Sequence, residues 1–420
     1  MEKLAVILLL AFAFGAGAAS FPYTKLYHLR IDCGVNDDGN GALINTINND
    51  SWFRDGGLFT DSGKAEKLPS GATAAVPEFL ATLRTFPGGE NQDPICYPLP
   101  LATTHSFLFR GGFYYANYDG KSQPPVFDLQ LAGKTLAAVD PSGGAPTFVE
   151  VVYWPRNDNI TVCLVGRKDG GRPFISSLEA TALDGMSYNQ TPMYRKMTQG
   201  TAYRLVSRLN FGGDNQVVEP WSMWANSCEE TQNRYWVPQR MDYYSQLTFE
   251  RSTACTGRIY ENVPPDSVIT TAVTPAPTAP SQSIYVPVEF PSTDNTTATT
   301  AMTVYVVLYF YQGLNSAEVR EPMRIMDIYI DGWLMGSVGL EEHDAGEVVT
   351  LYPVTVSGGT MNLTISPGEK TALPPLLNGM EVFLAMEMGH EVFSYGFRVS
   401  CWIVGRIVLQ VLLIIGVLFY

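Results

Sequence analysis

The chain has 420 residues and a formal net charge of −14 at pH 7, from 27 Lys and Arg against 41 Asp and Glu. A surface this acidic works against nucleic acid and other polyanions as partners, and favours neutral sugars or cationic peptides. With 38 Gly, 28 Pro, 12 % aromatic and 16 % charged residues, the composition suits turn-rich β structure, and the length accommodates two domains of ordinary size.

Residues 1–20 carry Lys3, an apolar run over 4–14, and the small residues Ala16-Gly17-Ala18-Ala19-Ser20. That order is the pattern of a cleavable secretory signal, so 1–20 stand apart from the fold. Export makes the Asn-X-Ser/Thr triplets at Asn49, Asn159, Asn189, Asn295 and Asn362 candidate glycan acceptors on exposed loops.

Strand signals begin at Phe107-Leu108-Phe109 and recur at 126–131, 148–153 and 160–165, short β-branched and aromatic runs parted by Gly, Pro and Asp. They return at 303–311, 325–330, 348–354, 361–365 and 381–385, while helical periodicity is scarce. Many short strands at regular intervals must bury their inner faces against a second sheet, which predicts an all-β sandwich architecture. The wording itself repeats. Val126-Phe127-Asp128-Leu129-Gln130-Leu131-Ala132-Gly133 returns as Ile325-Met326-Asp327-Ile328-Tyr329-Ile330-Asp331-Gly332, an offset of 327 − 128 = 199. Glu150 is echoed by Glu347 (347 − 150 = 197), Asn159 by Asn362 (362 − 159 = 203) and Pro173 by Pro375 (375 − 173 = 202). Matches in one order at nearly constant spacing predict two copies of one module, 21–208 and 209–390. The stretch 210–256, with Trp221, Trp224, Tyr235, Trp236, Tyr243 and Tyr244, opens the second copy, and 270–283 and 291–300 read as exposed loops.

Carbohydrate recognition needs flat aromatic faces for sugar C–H surfaces, with amides or carboxylates for the hydroxyls. Tyr114, Tyr115, Asn117, Tyr118 and Asp119, beside Gly120, supply both within eight residues and form the candidate ligand-binding set. The competing reading has the aromatics facing the core and Asn117, Asp119 and Gly120 building a turn. Asp37-Asp38-Gly39-Asn40-Gly41 lacks the spaced ligands and bidentate Glu of a calcium loop and reads as a solvated turn. Neither a metal nor a cofactor is expected.

Six cysteines are present: Cys33, Cys96, Cys163, Cys228, Cys255 and Cys401. Cys228 with Cys255 is the preferred disulfide because both lie in the irregular region between the repeats. Cys163, inside a β-branched run, reads as a small buried hydrophobe. The four histidines form no His-Glu-X-X-His pair, and no Gly-X-Ser-X-Gly elbow occurs, so the chain does not read as an enzyme. The adjacent acids Glu341-Glu342 and Asp37-Asp38 read as solvated faces, not as a glycosidase pair.

At the far end, 407–420 is apolar except for Gln410, and 399–405 extends it past Arg406. Together they reach the length of a membrane-spanning helix, with Arg406 snorkelling to one headgroup layer. A glycolipid-anchor signal with Ser400 as its site competes with this, although the polar spacer is missing. No kinase follows the apolar segment, so signalling is expected to come from a partner.

The series Ile31-Asp32-Cys33-Gly34, Trp52 with Asp55 and Phe59, Leu83-Arg84-Thr85-Phe86-Pro87, Cys96-Tyr97 and 115–120 resembles the malectin-like domain of plant receptor kinases. So do Pro173-Phe174-Ile175-Ser176-Ser177-Leu178-Glu179 and, in the second half, 327–332 and 373–381. The resemblance runs from about Leu29 to Ala385. It implies two tandem malectin-type β-sandwiches, after which the apolar run 399–420 predicts a C-terminal hydrophobic helix. It further implies an ectodomain on the outer face of the plasma membrane that senses cell-wall oligosaccharide or a secreted cationic peptide with a receptor kinase as co-receptor. A lectin of the endoplasmic reticulum membrane for glucosylated N-glycans is the alternative. The pattern departs after Asn210-Phe211-Gly212-Gly213, which leads to Glu219-Pro220-Trp221, and leucine-rich repeats are absent.

Overall fold

The computed structural model describes residues 28–388 apart from 36–43, 48–49, 58, 75, 89–92, 158–159, 184–196, 214–233, 250–263, 291–300, 314–323, 341–344, 370 and 372. Residues 1–20, 399–420 and 37–41, Cys228, Cys255, Asn49, Asn159, Asn189 and Asn295 therefore lie outside the described residues. Among the described residues no helix is long and apolar enough to cross a membrane.

The first half of the chain forms β1 (His28–Asp32), β2 (Ile44–Ile47), β3 (Asp50–Arg54), β4 (Lys64–Lys67), β5 (Thr82–Thr85), β6 (Ile95–Leu99), β7 (Phe107–Phe113), β8 (Phe127–Leu131), β9 (Lys134–Val139), β10 (Thr147–Tyr153), β11 (Ile160–Gly166), β12 (Phe174–Ile175) and β13 (Ser177–Ala182). After β14 (Thr201–Phe211) come β15 (Val237–Gln239), β16 (Tyr244–Thr248), β17 (Thr271–Pro275), β18 (Ile284–Glu289), β19 (Met302–Gln312), β20 (Arg324–Ile330), β21 (Trp333–Leu340), β22 (Ala345–Val356), β23 (Thr360–Pro367) and β24 (Gly379–Glu387). One eleven-stranded sheet runs β2-β3-β1-β13-β7-β10-β14-β24-β19-β22, with β15 beside β14. Two four-stranded sheets, β6-β11-β8-β9 and β18-β23-β20-β21, cover its two halves.

Side-chain alternation decides which face each strand buries. In β18, Ile284, Val286 and Val288 are buried while Tyr285, Pro287 and Glu289 are exposed, the period of a sheet with one face in water. β7 is buried at every position because both faces of the large sheet are covered. One apolar core joins Phe107, Phe109 and Phe113 of β7 to Leu129 of β8 and Ile160, Val162 and Leu164 of β11. A second joins Val304, Val306 and Leu308 of β19 to Ile328 of β20 and Leu363 and Ile365 of β23. A third lies on the opposite face of the large sheet, around Leu108, Tyr203, Trp236, Tyr305 and Phe383. β14 runs unbroken through position 208/209, pairing with β10 on one side and β24 on the other.

The duplication is visible at the level of single hydrogen bonds. Hairpins β8–β9 and β20–β21 turn through Ala132-Gly133 (φ 49° and 75°) and Asp331-Gly332 (φ 50° and 82°), positive at both central residues as a type I′ turn requires. Both carry a bulge at the same step, between Leu129 and Gln130 and between Ile328 and Tyr329. Thr82 Oγ1 donates to Asp32 Oδ1 at 3.1 Å, as Thr271 Oγ1 does to Asn210 Oδ1 at 3.2 Å. Gly34 and Gly212 have φ of 89° and 78°, and a Cβ on either would stand 2.2 Å from a carbonyl oxygen, of Leu83 and Ala272 respectively. Only glycine fits such a place. The register also corrects two echoes. Glu150 opposes Arg110, while Thr350, not Glu347, opposes Val307, the residue equivalent to Arg110. Likewise Val162 pairs with Leu131 as Leu363 pairs with Ile330, so Thr161, not Asn159, matches Asn362.

Cys163, expected as a buried hydrophobe, is instead bonded to Cys96. The two are direct cross-strand partners on β11 and β6, with Cα atoms 4.0 Å apart, a neighbourhood that spacing along the chain does not reveal. Cys33 is a buried free thiol.

Candidate ligand-binding surfaces

β7 drives Phe113 into the first core, and the chain then turns through Ala116 and Asn117, both at positive φ (43° and 52°). Tyr118 N donates to Tyr115 O at 3.0 Å and Gly120 N to Asn117 O at 3.0 Å. Asn117 Oδ1 accepts from Ser122 N at 2.7 Å, while Asp119 Oδ1 accepts from Tyr115 Oη at 2.5 Å and Lys121 N at 3.2 Å. Tyr115 and Tyr118 meet edge to face at 5.4 Å, and both lean on Phe174. Tyr115 is buried and Tyr114 half-buried beside Trp52, Phe79 and Leu80; Tyr118 is half-buried, and Asn117 and Asp119 are exposed.

The five residues are thus brought together, but several of their polar atoms are engaged with one another. Burial, and then the Asp119 carboxylate, push the Tyr118 phenol up to about 12. Burial also opposes ionisation of Asp119, yet the Tyr115 hydroxyl and the Lys121 amide and ammonium outweigh it and hold the carboxyl below its ordinary value. Tyr118 keeps partial exposure between the exposed residues Asn117 and Asp119.

A second surface lies on the outer face of sheet β18-β23-β20-β21. The register sets Tyr285, Thr364, Tyr329 and Leu334 in one row across the four strands. The same row of the first copy is Cys96, Cys163, Gln130 and Thr135, a disulfide followed by a hydrogen-bonded polar pair. In the second copy's row Leu334 is 59 % and Tyr285 50 % exposed; at the hairpin tip Trp333, which pairs with the core residue Ile330 and so belongs to the other face, is 78 % exposed, and Met335 38 %. Polar groups border them. Asp331 Oδ1 accepts from Asn362 N at 2.9 Å and from Asn362 Nδ2 at 3.2 Å, and Ser337 Oγ donates to Asp327. The strand signals read from the sequence do not include Trp333-Leu334-Met335. The usable signal was the Asp331-Gly332 turn followed at once by three large apolar residues, where the first copy has Lys134-Thr135-Leu136.

Across the large sheet runs a buried row of alternating charge. Arg30 reaches Glu179 (3.7 Å), Arg110 reaches Glu179 (3.2 Å) and Glu150 (2.9 Å), and Arg208 reaches Glu150 (2.6 Å) and Glu381 (2.5 Å). Arg234 (3.5 Å) and Tyr309 Oη (2.6 Å) complete the shell of Glu381. Tyr235 lies 4.5 Å from the Arg110 guanidinium, and Trp236 lies beneath Arg208 and Arg234. Burial opposes ionisation of Glu150, but Arg208 and Arg110 outweigh it and hold the carboxyl below its usual range. The row joins the two halves of the sheet through Arg208, which bridges Glu150 and Glu381.

The family model described as malectin-like domain matches residues 31–385. The chain is 26 % identical over 370 residues to the receptor-like protein kinase At5g59670 of Arabidopsis thaliana, covering 86 % of this chain and 38 % of that protein. It spans 34–38 % of the length of the curated relatives it matches. Among solved structures, the ANX2 ectodomain from Arabidopsis thaliana superposes with a TM-score of 0.62 at 14 % identity, covering 86 % of this chain and 97 % of that one. The plant receptor-like kinase FER, in complex with the peptide RALF23 and with LLG2, gives a TM-score of 0.61 at 19 % identity, covering 87 % and 96 %. The repeated strand order, the paired covering sheets and a family match over nearly all the described residues agree: the chain belongs to the malectin-like family.

Proposed function

We propose that the chain is the extracellular ligand-binding region of a receptor-like protein, exported through residues 1–20 and moored to the plasma membrane through 399–420. In this reading a receptor kinase partner carries the signal inward, and 21–208 and 209–390 are its two modules. The observation that supports it most is the likeness, over 87 % of the chain, to FER in its complex with the plant peptide RALF23 and LLG2. The net charge of −14 favours a cationic secreted peptide. Cell-wall oligosaccharide is the other ligand class, with the partly exposed Tyr118 and its neighbours Asn117 and Asp119 as the sugar-facing candidates. Asn49, Asn159, Asn189, Asn295 and Asn362 are the proposed glycan acceptors.

The test is titration of the full chain, in nanodiscs, with panels of basic peptides and of wall oligosaccharides. Saturable binding to one class is expected. Failure to bind either class, or turnover of a polysaccharide, sinks the proposal.

A further inference from the structure

The two covering sheets present four edges, and three are guarded. β6 carries Pro98 and the Cys96 disulfide, β9 carries Lys134, and β18 carries Pro287 and Glu289. Charge, proline and covalent closure are the devices by which edge strands avoid pairing with other chains. β21, Trp-Leu-Met-Gly-Ser-Val-Gly-Leu, is eight residues long and has neither charge nor proline. Among the described strands it is hydrogen-bonded to β20 alone, although β22 approaches it where the chain passes from one strand to the other.

The first copy serves as an internal control. At the same steps of the same hairpin, with the same turn and bulge, it places Lys134, Thr135 and Leu136 where the second copy has Trp333, Leu334 and Met335. Leu136 is 2 % exposed, whereas Met335 is 38 % exposed. Leu136 packs into the first core, but Lys134 and Thr135 show that the fold requires no large apolar group at the first two positions, so leaving Trp333 and Leu334 in water has no structural return.

From this we infer that the β21 edge is a docking strand for an extended, cationic segment of another polypeptide, added as a fifth strand whose side chains meet Trp333 on one face of the sheet and Leu334 on the other. Main-chain hydrogen bonds would give such strand addition its affinity, and the exposed side chains its selectivity. Charge selects the occupant. Asp327, opposite Ser337, and Asp331, in the hairpin turn, border the strand, and the chain as a whole carries −14. A second copy would bring the same acids face to face, whereas a basic segment neutralises them. The inference rests on the reading of the chain as a peptide-binding ectodomain and assigns that reading a place.

The experiment uses the full chain in zwitterionic nanodiscs, with empty discs as blank, and two capped octapeptides, one alternating lysine with valine and one alternating glutamate with valine. Calorimetric titration is run on the wild type and on Trp333→Lys/Leu334→Thr, which installs the first copy's own residues at exposed positions. A common melting temperature certifies that both fold. Expected is saturable binding of the basic probe, none of the acidic one, and at least about tenfold weaker binding after the exchange. Unchanged binding by the exchanged variant overturns the edge assignment while leaving peptide recognition standing. A wild type that sediments as a dimer, dissociated by the exchange, overturns the cationic occupant in favour of a second copy. If the wild type ignores the basic probe but binds a peptide or saccharide from the wider panels, the edge assignment alone falls; if it binds nothing, both fall.

Discussion

Replacing Arg110 by methionine removes the cation between Glu150 (2.9 Å) and Glu179 (3.2 Å) and leaves both carboxylates buried. Breaking a buried ion pair by deleting one partner costs about 3–5 kcal/mol, because the remaining charge is stranded in a poor solvent. The cost stays in that range and does not double, since Glu150 keeps Arg208 at 2.6 Å and Glu179 keeps Arg30 at 3.7 Å. At roughly 2 °C per kcal/mol for a unit this large, the melting temperature should fall by roughly 6–10 °C. The second copy shows what an uncharged version looks like, for Val307 and Thr350 occupy the positions of Arg110 and Glu150. Arg110→Met with Glu150→Met should therefore cost less than the sum of the two single changes, by at least about 1 kcal/mol. Urea unfolding of the four proteins measures this directly. The Glu150 carboxyl is held below its ordinary value in the fold, so its contribution is full above the unfolded value, about 4.3, and disappears as pH falls through the folded one. Arg110→Met should accordingly flatten the loss of stability below about pH 4.3. Additive effects within about 0.5 kcal/mol, with an unchanged acid limb, would refute the claim that the row acts as a coupled unit.

Two further changes probe the frame. Converting Cys96 and Cys163 together to serine opens a closure of 67 residues and should lower stability by about 4 kcal/mol, read from denaturant midpoints. Gly212→Ala should cost at least about 2 kcal/mol, since its φ of 78° disfavours a side chain and the added carbon meets backbone at 2.2 Å; Gly332→Ala, with nothing within 4 Å, should lose less. Equal losses at the two glycines, measured by thermal melts, would mean that the close approach at Ala272 is not what counts.

The β class was legible because apolar alternation and turn residues are local properties, and the duplication because turns and strands had kept their order. The family-bearing words were legible for a different reason. Asp55, Arg84, Tyr97 and Gly34 lie far apart in sequence, yet Asp55 accepts from Arg84 Nε (2.6 Å), Arg84 Nη2 (2.7 Å), Tyr97 Oη (3.1 Å) and Gly34 N (3.0 Å) in one fully buried cluster. Groups so interlocked are recognisable as words because each needs the others. What stayed hidden depends on which strands become neighbours. Cys96 and Cys163 are separated by 67 residues and adjoin only through sheet register. The echoes of Glu150 in Glu347 and of Asn159 in Asn362 were textual coincidences, displaced by two or three residues from true equivalence, because bulges and loop lengths differ between the copies. The aromatic turn at 113–120 showed its composition in the sequence but not that Tyr115 and Asp119 satisfy each other.

The differences between the copies follow a direction. The first stabilises its covering sheet on the outer face, with the Cys96–Cys163 bond and the Arg167–Asp128 ion pair (2.5 Å) at the positions that in the second are Tyr285, Thr364 and Asp327. The first also bears the Arg110–Glu150 pair, against Val307 and Thr350 in the second. Since one sheet runs through both, cohesion supplied by the first copy is shared across β14 through Arg208, which joins Glu150 to Glu381. The second copy's covering sheet has no disulfide at this row and exposes Leu334 and Tyr285 there, with Trp333 exposed at the hairpin tip. In a duplicated fold, the copy relieved of a stabilising duty is the one free to place costly apolar groups outside, and that is where recognition by this chain is best sought.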